Sequence, residues 1–99
     1  MKVVRKKPGE APEICEVENV LDAFPKGCEK YVCQFKFASD CAILYLDFVY
    51  HTLRQNVFFA GRLFYGTILA VGMDGQKLCG LKPTVAETLM NWLGERKHG

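Results

Sequence analysis

The chain has 99 residues, of which 49% are apolar, 24% charged and 12% aromatic, with a formal net charge of +2. That length sets a single domain spanning residues 1–99 with one modest core, and the aromatic content excludes a disordered chain. The small charge gives no general attraction to nucleic acid or anionic membrane, no apolar run reaches the roughly 18 residues of a membrane span, and the basic start lacks the apolar stretch of a secretion signal, so a cytoplasmic location is expected.

MKVVRKK reads as a short strand, PGEAP as a turn punctuated by two prolines and a glycine, and EICEVEN as an alternating second strand that closes a hairpin. Asn19 then precedes VLDAF. An Asn with Asp22 three residues on resembles a helix cap, and Pro25 stops the short helix that would start at Val20. CEKYVCQFKFA alternates: Tyr31, Cys33, Phe35 and Phe37 share one face, while Val32, Gln34 and Lys36 share the other. Ser39 and Asp40 make the turn. CAILYL is apolar on both faces and reads as a central, doubly covered strand.

Residues 47–64 are ambiguous. Val49, Leu53, Val57, Ala60 and Phe64 follow helical spacing, yet the segment is rich in strand formers and carries Gly61. From Tyr65 to Met73 the chain again reads as a buried strand, Asp74-Gly75 as a tight turn and KLCGL as a short return strand. Pro83 suits a first helical position; Thr84 and Glu87 fit a capping box, although Pro83 at that position would put the cap one or two residues earlier. Val85, Leu89, Trp92 and Leu93 form one apolar stripe, which predicts a helix lying on the sheet with Trp92 inward. Gly94 ends it, and 94–99 form a polar tail.

The expected fold is therefore α+β: an antiparallel or mixed sheet of about five strands with two helices, the C-terminal one on a sheet face. Because CAILYL and GTILAVG are apolar on both sides, something must cover the second face. The candidates are the Val49–Phe64 segment and a second subunit, hence a homodimer.

The five cysteines are odd in number and form no C-x-x-C pair, and neither His51 nor His98 has a partner at metal spacing. They read as small hydrophobes in a reduced compartment, with no metal and no cofactor implied. An enzyme would need Cys33 or Cys41 with His51, and thiols among apolar strand neighbours are poor nucleophiles.

The stretch RQNVFFAGRLFYG, residues 54–66, carries the candidate site: Arg54, Asn56, Phe58, Phe59, Arg62 and Tyr65. Ring doublets on a strand point to opposite faces, so they suit an element covered on both sides better than a base-stacking platform. Arg54 and Arg62 could join Arg5, Lys6 and Lys7 as a phosphate-binding face, the alternative being solvated or paired arginines. Asn56 reads as a backbone-holding residue, with a ligand contact as the alternative.

KVVRKKPGEAPEICEVEN, LRQN, GTILAVG and LKPTVAETL, in this order and spacing, resemble the domain of unknown function 3846 family, small proteins found in phage and mobile-element contexts. The DFVYHT stretch departs from it. The resemblance implies a small α+β fold and a mobile-element origin, and brings no established activity with it. It makes a phage or mobile-element accessory protein acting by protein binding the first functional expectation, ahead of a nucleic-acid binder and of a cysteine enzyme.

Overall fold

A computed structural model describes residues 1–46 and 53–95. Eight strands and one α-helix follow in chain order: β1 (Lys2–Lys6), β2 (Glu13–Glu16), β3 (Val32–Ala38), β4 (Cys41–Leu46), β5 (Gln55–Phe59), β6 (Arg62–Tyr65), β7 (Ile68–Asp74), β8 (Lys77–Cys79) and α1 (Pro83–Glu95). Short 3₁₀ turns occupy Val20–Ala23 and Glu29–Tyr31. The main sheet runs β2-β1-β7-β4-β3, with β8 alongside the end of β7. β5 and β6 form a separate hairpin, and every pairing is antiparallel.

All of CAILYL and ILAVGM is buried, because β4 and β7 lie inside the sheet and both faces are covered. One face carries Val4, Ile43, Tyr45, Ile68 and Ala70, closed by Ala86, Leu89 and Leu93 of α1 and by Val57, Phe59 and Phe64 of the hairpin. The opposite face carries Val3, Leu44, Leu46, Leu69, Val71 and Met73, closed by Val20, Phe24 and the loop around them. Asn19 holds that loop as foreseen: its side-chain oxygen accepts from the Leu21 N–H at 3.0 Å, and the turn ends at Phe24 before Pro25.

Several expectations are corrected. Among the described residues there is one α-helix, not two; the segment after Asn19 is too short before Pro25 to pass beyond a 3₁₀ turn. The described strands number eight against the expected five or so: six in the main sheet and two in a hairpin over residues 55–65, the segment whose sequence pattern is ambiguous. Its two-residue turn is Ala60-Gly61, both with positive φ (53° and 79°), the conformation that matches the twist of flanking strands. Residues 47–52, including DFVYHT, lie outside the described residues, as do 96–99 of the tail. The hairpin covers the same face as α1, and the second face is closed by residues 17–31. The argument for a second subunit on that face therefore falls away.

Trp92 is not inward; it is 50% exposed. The buried stripe of α1 is Ala86, Leu89 and Leu93, flanked by the partly buried Val85 and Met90. Trp92 stands at the stripe's edge and meets Phe59 with ring centroids 6.2 Å apart. Pro83 opens the helix: the Lys82 carbonyl takes the first helical bond, from Ala86 at 2.9 Å, so the cap falls one residue before Pro83, the earlier position that Pro83 itself implied. Gly94 lies within the helix, near the Pro12 ring.

Candidate binding surface

Asn56 sits where the β5–β6 register shifts between Gln55 and Phe58, a bulge that re-aims one side chain. Its amide nitrogen donates to the carbonyls of Lys6 (2.8 Å) and Gly66 (2.7 Å), and its oxygen accepts from the Lys6 ammonium at 3.0 Å. Lys6 is 2% exposed and also donates to the Lys7 carbonyl at 2.9 Å. The Gly66 N–H bonds the Arg54 carbonyl at 2.7 Å. Asn56 therefore stitches the end of β1 and the approach to β7 to the hairpin. Burial of Lys6 removes it from any surface cationic patch.

The two candidate arginines lie at opposite ends of the hairpin, since Gln55 faces Tyr65 and Phe59 faces Arg62. Arg54 lays its guanidinium over the β1–β2 turn, where a Cβ on Gly9 would come within 2.7 Å of Nη2. Arg62 is turned inward over the rings of Tyr45 (4.5 Å), Phe35 (5.6 Å) and Phe64 (5.7 Å), a cation–π arrangement. Arg5 pairs across the strands with Glu13 at 3.0 Å, and this hydrogen bond holds the Glu13 carboxyl below its usual range.

Each ring doublet splits, as strand geometry demands. Phe59 and Phe64 turn toward the sheet, where Phe59 meets Phe37 edge-on at 5.1 Å and Phe64 meets Tyr45 at 5.4 Å. Phe58 points the other way and is 54% exposed, with half-buried Leu63 opposite it and Tyr65 two residues along the same strand. The hairpin is therefore covered on one side only among the described residues, contrary to the expectation of cover on both.

Two clefts flank the N-terminal half of α1. One, of about 260 Å³, lies between the helix and the end of β3, walled by Phe37, Cys41, Val85, Leu89 and Trp92 with Asp40 exposed beside them. The other, of about 330 Å³, shares Asp40, Cys41 and Val85 with the first and runs on to Asp74, Cys79 and Lys82. It exists because Gly72, opposite both Cys41 and Cys79, has no side chain: a Cβ there would meet the Gly80 carbonyl at 2.8 Å and Cys79 Sγ at 3.0 Å. Sequence reasoning missed these clefts. Their signals were the Ser39-Asp40 turn and a tryptophan at the margin of a helical stripe.

Burial pushes the Cys41 thiol up to about 11, with the hydrogen bond to Asp40 Oδ1 (3.5 Å) adding to it. Cys41 should stay unlabelled by iodoacetamide at pH 8 in the native protein and label on unfolding. Because its folded value lies above the ordinary 9.0, the stability it contributes is complete below pH 9 and is lost as pH climbs toward 11. A melting series from pH 8 to pH 11, compared with Cys41→Ala, checks the sign.

No family model, no curated protein and no solved structure matches the chain. No helix among the described residues is long and apolar enough to cross a membrane.

Proposed function

We propose that the protein is a non-catalytic interaction module that binds another protein through exposed aromatic side chains: Phe58, with Leu63 and Tyr65, on the outer face of the hairpin, and Trp92 at the edge of α1. The observation that carries this reading is the exposure of two large rings, Phe58 at 54% and Trp92 at 50%. Aromatic side chains held rigidly at a surface are the residues that anchor protein interfaces. The resemblance to the domain of unknown function 3846 family belongs to the same proposal, as do a cytoplasmic setting and an origin in a phage or mobile element. A small accessory factor needs a partner-shaped outline and no chemistry of its own.

Co-expression with the products of neighbouring genes tests the reading. A complex is expected that Phe58→Ser and Trp92→Ser each weaken by tenfold or more, the scale of interface anchors. If both variants bind a partner as the wild type does, the surface is wrong. If the protein instead retains DNA or RNA in a salt-dependent way that Arg54→Gln abolishes, the nucleic-acid alternative takes its place.

A further inference from the structure

The two clefts beside α1 adjoin, and their size, lining and charge together describe an occupant. At about 260 and 330 Å³ they fall at or below the small end of small-molecule sites, roughly 300–1,000 Å³, and suit single side chains. The first is apolar, with Phe37, Val85, Leu89 and the half-exposed Trp92 on its walls. The second holds Asp40, Asp74 and Lys82, two carboxylates to one ammonium. Neither carboxylate is in an ion pair among the described residues, whose pairs are Met1 amine–Glu16 and Arg5–Glu13. The Asp40 carbonyl accepts from the Met73 N–H at 2.8 Å, while its carboxylate accepts the weak thiol donor of Cys41 at 3.5 Å.

Because the clefts share Asp40, Cys41 and Val85, two side chains filling them would stand one or two residues apart on an extended backbone, which rises about 3.3 Å per residue. Strand addition at the neighbouring edge is opposed: β3 carries Lys36 there and a register break between Lys36 and Ala38. Recognition would rest on side chains.

We infer that the clefts take a short extended segment of the protein partner, with an aliphatic side chain against Trp92 and an adjacent lysine or arginine between Asp40 and Asp74. This deepens the protein-binding reading and rests on it. An anionic ligand would meet two carboxylates against one ammonium. Among the described residues no group of three acidic, thiol or imidazole side chains is placed to hold a metal ion.

Trp92 is the chain's only tryptophan, so its emission reports on the cleft directly. Full-length protein is titrated at low salt, to millimolar concentration, with the acetylated peptides Gly-Ser-Leu-Arg-Ser-Gly and Gly-Ser-Leu-Ser-Arg-Gly. Controls replace Leu by Ser or Arg by Glu. One of the two Leu/Arg peptides is expected to shift the emission to the blue in a saturable way, and both replacements should remove the shift. Asp40→Asn and Asp74→Asn, both at exposed positions, are expected to weaken binding about two- to fivefold each, the size of an exposed ion pair.

The inference is overturned if no peptide moves Trp92 emission, if the Glu peptide binds as well as the Arg one, or if neither Asn variant weakens binding. A partner captured through Phe58 alongside silent peptides sinks this inference and leaves the broader reading standing. Failure of partner capture and of the peptides together sinks both.

Discussion

Phe64→Ala is expected to destabilise the protein by about 3–5 kcal/mol, the cost of removing a large ring from a site that cannot collapse. Phe64 is 1% exposed and sits between Phe35 (5.9 Å) and Tyr45 (5.4 Å), with the Arg62 guanidinium 5.7 Å from its ring. Removing it leaves a void at the seam between hairpin and sheet, and takes from Arg62 one of the three rings it lies over. Stability of small domains totals about 5–15 kcal/mol, so the variant should melt well below the wild type and unfold at a much lower urea midpoint. Phe58→Ala is the matched control. It removes the same ring from the outer face of the same hairpin and should stay within about 0.5 kcal/mol of wild type. Urea unfolding of both variants checks the pair. Equal losses would mean that the two faces of the hairpin are not distinguished as described.

That contrast also shows where the chain was readable in advance. CAILYL and ILAVG declared themselves as doubly covered strands, because only a strand with two buried faces tolerates apolar residues at every position. The loop after Asn19 was legible because a side-chain cap and Pro25 are local signals. Residues 55–65 were not. The Ala60-Gly61 turn lacks the Asn or Asp that usually announces such a hairpin, and the bulge at Asn56 breaks the alternation that would have marked β5. Val57, Ala60 and Phe64 then mimic a helical stripe, although the residues that turn inward are Val57, Phe59 and Phe64. Trp92 misled for a related reason. Periodicity weights large side chains, and the residue that completes the buried stripe is the small Ala86. The clefts depend on Gly72 and Asp40 meeting α1 across the fold, a juxtaposition no local pattern contains.

Asn56→Ala should cost about 3 kcal/mol, since unpairing each buried polar group costs about 1–3 kcal/mol and the substitution strips the Asn56 donor from two carbonyls and its acceptor from the Lys6 ammonium. The loss has a place as well as a size. Among the described residues β5 and β6 share no strand pairing with the main sheet, and this amide joins the ring contacts and the buried Val57 in attaching them. Amide hydrogen exchange should therefore quicken over residues 55–65 well before it does in β4 and β7, as expected for a unit that opens by itself. Asn56→Gln keeps the chemistry but lengthens the reach, and should recover only part of the stability because the amide can no longer meet both carbonyls. A ligand-contacting asparagine would behave otherwise. The alanine variant would then melt like the wild type, its hairpin amides would stay protected, and only partner binding would fall. Melting and exchange thus separate a stitch from a contact without any knowledge of the partner.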